Sequence, residues 1–145
     1  VAIHGDDGLG GVALPEPLAL ADPRGGVALM AATLKAASVG SVTVLALGPL
    51  TNLALLRREA PDAYARIGRI VAMGGAIDEK GNVGPHAEFN MACDPLAAAE
   101  VFASEVPVTL TPLDVTRRIR ATAEDLDRLA AFGTRAATLS ADLIR

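Results

Sequence analysis

Residues 42–59 read VTVLALGPLTNLALLRRE and contain, in order, a strand pattern, a turn and a helix pattern. Val42 to Leu47 is a short and almost wholly apolar segment that begins with β-branched residues, which is typical of a strand buried on both faces. Gly48-Pro49 ends this strand, and Thr51 is predicted to cap a helix that runs to about Glu59. A buried strand followed closely by a helix indicates one unit of a parallel α/β sheet.

The same alternation of strand and helix continues on both sides of this unit. Because strands spaced by helices pair in parallel through right-handed crossovers, the chain is predicted to form an α/β fold with a mostly parallel sheet and flanking helices. The further predicted strands are Arg69 to Met73 and Val106 to Leu110, and the further predicted helices are Val27 to Val39, Pro95 to about Ser104 behind an Asp94 cap, and a last helix that begins at Thr122.

Length and composition fit one globular domain with a core. The chain has 145 residues, of which 51% are hydrophobic and 21% charged, and its net charge is −4. This charge argues against a nucleic-acid partner, because phosphate binding needs clustered Lys and Arg. The single cysteine, Cys93, excludes an internal disulfide framework and is predicted to be buried. No apolar run approaches the roughly 20 residues that span a bilayer, so no membrane partner is expected and the chain is compatible with the cytosol.

Polar or glycine-rich segments follow the predicted strand ends at Ile3, Leu47, Ala72 and Leu110. In parallel sheets, ligands gather at the carboxyl ends of the strands, so these segments are the candidate binding sites. His4 directly follows the first of these ends, and either a packed loop histidine or a functional one fits this position.

The longest of these segments is Met73 to Pro95, and it carries Asn82, Glu88 and Asn90. If the segment is extended, the side chains of Glu88 and Asn90 point to one face and Phe89 to the other. Carboxylates accept hydrogen bonds from hydroxyls and amides both donate and accept, so this set predicts a hydroxyl-rich ligand, above all a sugar. The alternative is structural: Asn82 in a Gly-Asn turn, Glu88 solvated and Asn90 acting as a cap.

Short motifs follow one another across the chain in a fixed order. They are His4-Gly-Asp-Asp-Gly-Leu-Gly-Gly, Leu47-Gly-Pro-Leu-Thr-Asn-Leu-Ala, Val71-Ala-Met-Gly-Gly, Gly81-Asn82, Ala87-Glu-Phe-Asn90, Asp94-Pro and Leu113-Asp-Val-Thr116. In this order and spacing, the chain resembles the inosine-uridine preferring nucleoside hydrolase family over about residues 1–120. The resemblance implies a Rossmann-like α/β fold, hydrolysis of the N-glycosidic bond of ribonucleosides to base and ribose, a bound calcium ion, a cytoplasmic location and a dimeric or tetrameric complete protein.

The resemblance also implies roles for five side chains and one backbone carbonyl. It implies that Asn82 and Glu88 bind the ribose 5′-hydroxyl, and that Asn90 and Met73 lie against the lower ribose face near the 3′-hydroxyl. It also implies that His4 lies near the base and that the backbone carbonyl of Leu47 binds calcium.

Two parts of the family pattern are not found in these residues. One is an Asp-x-Asp-x-x-x-Asp-Asp stretch that supplies most calcium ligands and the water-activating carboxylate, and the other is a downstream His-Asp pair. Asp6-Asp7 belongs to the later His-Gly motif, and the other histidine, His86, is followed by Ala87. Calcium takes six to eight oxygen ligands, so one carbonyl cannot hold it. We therefore interpret residues 1–145 as one partial hydrolase domain, truncated at both ends, without catalytic residues of its own.

Alone, such a piece is expected to be inactive and poorly soluble, because absent strands leave an exposed sheet edge and apolar surface. Two alternatives remain open at this point. One is a non-catalytic nucleoside- or ribose-binding module that has lost the metal site, and the other is an α/β scaffold that shares only the fold. The preference for purine or pyrimidine nucleosides cannot be predicted from these residues.

Overall fold

A computed structural model describes residues 6–17 and 19–144. His4 and the strand end predicted at Ile3 lie outside the described residues. The chain divides into two compact units. One is Asp22–Arg118, which contains the sheet, and the other combines the described residues of 6–21 with those of 119–144.

The larger unit is built on an open sheet of three strands in the order β1-β2-β3, and their parallel pairing confirms the prediction. The last strand begins at Val108 and not at the predicted Val106. Pro107 has no N–H for the ladder, although its carbonyl accepts from the N–H of Ile70 at 2.9 Å. The strands are β1 Val42–Ala46, β2 Ile67–Met73 and β3 Val108–Thr111.

Helices flank this sheet and occupy the predicted positions together with several short additions. The first ends at Ala36, earlier than predicted, because Ala37 is extended and the guanidinium of Arg66 donates to the carbonyls of Leu34 and Ala37 at 2.9 and 2.6 Å. The helices of this larger unit are α1 Gly26–Ala36, α2 Thr51–Glu59, α3 Pro61–Tyr64, α4 Phe89–Cys93, α5 Pro95–Phe102 and α6 Leu113–Thr116. The smaller unit contains α7 Ala123–Ala130 and α8 Arg135–Ile144.

One predicted cap is confirmed and another is wrong. Asp94 caps α5, since its Oδ1 accepts from the N–H of Ala97 at 3.0 Å. Thr51 does not cap α2, because it is already the first helical residue. Its hydroxyl donates instead to Asp94 Oδ2 at 2.7 Å, which joins the starts of α2 and α5.

The core lies between one face of the sheet and the helices that pack on it. Burial alternates along β1, so the prediction of a strand buried on both faces is wrong: Leu45, on the opposite face, is 63% exposed. The largest fully buried side chains of the core are Leu50, Leu56, Ile70 and Val101.

In the smaller unit, α7 packs against α8. The last helix was predicted to begin at Thr122, and this residue instead caps α7 in a reciprocal pair with Asp125: the N–H of Asp125 donates to Thr122 Oγ1 at 3.2 Å and the N–H of Thr122 donates to Asp125 Oδ2 at 3.0 Å. Among the residues that the structure describes, no helix is long and apolar enough to cross a membrane.

Candidate functional site

The carboxyl ends of β1 and β2 are joined by the side chain of Asn90. Its Nδ2 donates to the carbonyl of Met73 at 3.0 Å, lies 3.3 Å from Met73 Sδ, and makes a longer contact of 3.5 Å with the carbonyl of Leu47. Asn90 is 8% exposed. Three residues named from the sequence are thus brought together at the strand ends, where parallel sheets bind ligands.

Glu88 begins the helix that carries Asn90. Its Oε2 accepts three backbone N–H groups, those of Gly75 at 3.0 Å, Asn90 at 2.9 Å and Met91 at 3.3 Å. The side chain is only 3% exposed, so the alternative of a solvated Glu88 is wrong. Charge-assisted bonds offset the cost of burying the carboxylate. In the described part of the chain, every hydrogen bond to this carboxylate goes to Oε2, which leaves Oε1 available to a hydroxyl.

The segment around Glu88 is not extended as predicted, because Phe89 already starts α4. The predicted separation of side chains nevertheless occurs, for a different reason: Glu88 and Asn90 are buried while Phe89 is 50% exposed. Glu88 faces inward as the cap of the helix, and Asn90 faces inward from its first turn. The sequence cue for this helix start is Glu88 itself. A carboxylate at the cap position can accept the N–H groups of the first helical turn, which have no partner within the helix.

Asn82 supports the same helix start from the loop. Its Oδ1 accepts from the N–H of Phe89 at 2.8 Å, so that Asn82 and Glu88 together satisfy the first three N–H groups of α4. The N–H groups of Asn82 and Val83 both donate to the carbonyl of Ala87 at 2.9 Å, which closes a tight turn. Gly81 permits this closure, since a Cβ there would lie 2.2 Å from the Ala87 carbonyl oxygen.

Helix α6 also binds the loop between β2 and α4, through contacts that its sequence motif did not reveal. The carboxylate of Asp114 accepts the N–H groups of Ile77, Asp78 and Glu79 at 2.9, 2.8 and 3.1 Å. These N–H groups, that of Ile77 first, hold the pKa of Asp114 below its ordinary value. The only sequence cue for these contacts is that Asp114 lies in the Leu113-Asp-Val-Thr116 motif, and the motif by itself does not predict what Asp114 binds.

The remaining chemically reactive side chains do not assemble a metal site. Within residues 6–17 and 19–144, no group of three or more His, Cys, Asp or Glu side chains could hold a metal ion. Asp7 instead accepts the N–H groups of Leu9 at 2.8 Å and Gly11 at 3.0 Å in its own turn. Cys93 is exposed, so the prediction that it is buried is wrong; it lies at the end of the short helix α4.

Comparison with known proteins identifies the class. The family model of the inosine-uridine preferring nucleoside hydrolases matches residues 1–145. The chain belongs to this family, which confirms the family and the α/β fold predicted from the sequence.

Individual relatives agree with this assignment. The chain is 46% identical over 142 residues to the pyrimidine-specific ribonucleoside hydrolase RihA of Citrobacter koseri and 45% identical to that of Salmonella agona. In both cases the match covers 98% of this chain and 45% of the relative. The chain therefore spans less than half the length of the curated relatives it matches.

Solved structures give the same result. A purine-preferring ribonucleoside hydrolase from Gardnerella vaginalis superposes with a TM-score of 0.88 at 35% identity, over 97% of this chain and 44% of that one. An inosine-guanosine nucleoside hydrolase superposes with a TM-score of 0.78 at 31% identity, over 97% of this chain and 46% of that one.

Proposed function

We propose that the complete protein carrying this chain hydrolyses the N-glycosidic bond of ribonucleosides to free base and ribose, and that residues 73–90 bind the ribose. The observation that carries the proposal is the hydrogen-bonded cluster at the strand ends, in which Asn90 joins Met73 and Leu47 and is itself held by Glu88. Family membership supports the reaction, and the polar, buried character of this cluster supports the sugar as its ligand.

The chemistry of the reaction explains these residue types. As the base leaves, the ribose gains oxocarbenium character, so the enzyme must hold the sugar firmly while water attacks. Glu88 Oε1 can accept from the 5′-hydroxyl and the amide of Asn82 can donate to it, since Asn82 Oδ1 is occupied by Phe89.

The lower ribose face is assigned to Asn90 and Met73. The Nδ2 of Asn90 is used by backbone carbonyls, so its Oδ1 is the atom we assign to the 3′-hydroxyl. His4 is assigned to the neighbourhood of the base on family similarity alone.

We further propose that the complete protein requires calcium. The residues described here do not form a calcium site by themselves, because they offer no cluster of carboxylates and calcium takes six to eight oxygens. One ligand is assigned to this chain, the backbone carbonyl of Leu47, which Asn90 contacts only at 3.5 Å. No catalytic acid or base is assigned to these residues, and we expect the 145-residue chain alone to be inactive.

A second candidate is a non-catalytic nucleoside- or ribose-binding module. It is favoured by one observation: in the described ranges Glu88 and Asn82 are held in place by hydrogen bonds to the backbone N–H groups of Gly75 and Phe89, although no carboxylate cluster for a metal accompanies them. We expect either protein to bind a small ribonucleoside, to be cytoplasmic and to form a dimer or tetramer when complete.

The test is an assay of inosine and uridine hydrolysis by the complete protein, after chelation and after calcium is restored, together with ribose titration by calorimetry. We expect hydrolysis that is lost on chelation and recovered with calcium. Ribose binding without hydrolysis, unchanged by the chelator, would establish the binding module instead. The family match overturns the alternative of a scaffold that shares only the fold. Ribose affinity that is unaffected by Glu88→Ala and Asn90→Ala would instead overturn the assignment of these two residues to the sugar. Sedimentation of the same protein measures its oligomeric state.

A further inference from the structure

The loop that follows β2 is held from outside by one short helix, α6. Three consecutive N–H groups, from Ile77 to Glu79, converge on the carboxylate of Asp114 at 2.8–3.1 Å. Three consecutive backbone donors can share one carboxylate only in a narrow set of loop conformations, because all three must point to the same place. Asp114 therefore selects one conformation of this stretch.

Leu113 at the start of α6 and Arg117 directly after its end bind the loop as well. The N–H of Leu113 donates to the carbonyl of Gly75 at 2.9 Å, just before the stretch that Asp114 binds. Beyond that stretch, the guanidinium of Arg117 pairs with Glu79 at 2.9 Å and contacts the carbonyl of Gly81 at 3.4 Å. The anchored segment therefore reaches the residue that directly precedes Asn82.

The far end of the loop is fixed by its own residues. Glu88 binds the N–H of Gly75, and Asn82 binds that of Phe89. Without α6, the hydrogen bonds among the described residues would hold the exposed stretch between Gly75 and Asn82 only at its two ends and at the turn closed by Pro85 and Ala87. Ordering such a segment only when a ligand arrives would weaken binding, because the lost conformational entropy is then subtracted from the affinity.

We propose that Asp114 is a positioning residue: it fixes the loop before substrate binds, so that Asn82 and Glu88 meet the ribose together. The proposal rests on the proposed function, and it assigns to Asp114 contacts with the loop backbone rather than with substrate. It assigns a role to the Leu113-Asp-Val-Thr116 motif, which the ribose contacts do not use.

The decisive variant is Asp114→Asn in the complete protein. An asparagine keeps the shape but replaces one acceptor oxygen by an NH₂ group, so at least one of the three N–H groups faces a donor. We expect faster amide hydrogen exchange across residues 75–83. We also expect KM to rise roughly tenfold with kcat changed less than about twofold, because ground state and transition state both lose the same sugar contacts.

A matched control tests whether neutralising a carboxylate elsewhere in the chain would change loop exchange and KM in the same way. Glu100→Gln also neutralises a carboxylate whose pKa is lowered, in this case by Arg58, and Glu100 has no hydrogen bond to the loop. We expect this control to leave loop exchange and KM unchanged. Asp114→Glu restores the charge and is expected to recover part of the lost affinity.

The last measurement uses as substrate a 5′-deoxyribonucleoside, which lacks the hydroxyl assigned to Asn82 and Glu88. If Asp114 acts through Asn82 and Glu88, the KM effect of Asp114→Asn should largely disappear with this substrate. Unchanged exchange across 75–83 would overturn the proposal, and so would faster exchange with unchanged KM, or an equal KM effect on the 5′-deoxy substrate. A wild-type protein without hydrolytic activity would contradict the proposed function, whereas the positioning role would still be decided by the exchange and by the affinity for ribose.

Discussion

Glu88 Oε2 lies 3.0 Å from the backbone nitrogen of Gly75 and so joins the two ends of the loop between β2 and α4. The same oxygen accepts the N–H groups of Asn90 and Met91. One buried atom therefore links the end of a strand, the start of a helix and the residue that contacts Met73 and Leu47. Loop closure and ligand binding are expected to use different oxygens of this carboxylate.

Two substitutions of Glu88 should separate these roles. Glu88→Ala leaves three N–H groups without their acceptor and is expected to lower the free energy of unfolding by about 1–3 kcal/mol. Glu88→Gln retains one acceptor oxygen for them and should preserve most of the stability, while its NH₂ group can no longer accept from a sugar hydroxyl. Urea unfolding and ribose calorimetry measure the two effects. Full stability of Glu88→Ala would contradict the closure role.

Gly81→Ala should disturb the turn that presents Asn82. The added Cβ would lie 2.2 Å from the backbone oxygen of Ala87, and backbone cannot move aside as a flexible side chain can. We expect a loss of about 1–3 kcal/mol in unfolding free energy, as for other overpacked sites. Gly48→Ala is the control, since its Cβ meets nothing within 4 Å. Equal stability of the two variants in thermal unfolding would refute the prediction.

Asp94 is expected to make stability depend on pH. The hydroxyl of Thr51, and after it the N–H of Ala97, lower the pKa of Asp94 from its ordinary value of 3.8. A lowered carboxyl pKa stabilises the folded state above the unfolded pKa, and this contribution is lost as pH falls through the folded value. Asp94→Asn should therefore be less stable than the wild type near neutral pH, with a difference that shrinks below about pH 4. Unfolding midpoints measured from pH 7 to pH 2 test this, and a difference independent of pH would argue against it.

Leu56→Ala and Leu45→Ala compare a buried and an exposed leucine of the larger unit. Leu56 is fully buried, so its truncation is expected to cost about 2–5 kcal/mol of unfolding free energy. Leu45 is 63% exposed, and its truncation should change stability by less than about 0.5 kcal/mol. Denaturant unfolding of both variants checks the contrast. A large loss in Leu45→Ala would mean that the outer face of β1 is covered in solution.

Much of the fold could be predicted because it depends on local residue types. The parallel strands, the Asp94 cap of α5 and the position of α7 next to Thr122 follow from apolar runs and from the residue types at helix starts. Element ends were less predictable. The end of α1 depends on Arg66, whose guanidinium binds its last carbonyls from 32 and 29 residues further along the chain.

The candidate site could also be predicted only in part. Asn82, Glu88 and Asn90 could be named from the sequence, because a long polar segment after a strand has few structural explanations and the motifs match a family. Their geometry could not, since the segment was predicted to be extended and Glu88 instead caps a helix. Asp114 had no predicted role because its partners lie 35–37 residues earlier, and no local pattern links them.

The sequence by itself determined the family and the alternating strands and helices, because these properties reside in residue type and spacing, and the proposed sugar contacts rest on the same motifs. Only the tertiary structure decided which oxygen of Glu88 holds the loop, that the Thr51 hydroxyl binds Asp94 rather than capping α2, and that α6 anchors the loop through Asp114. These are hydrogen bonds between groups 13 to 43 residues apart, and such pairs meet only when the sheet and its helices have packed.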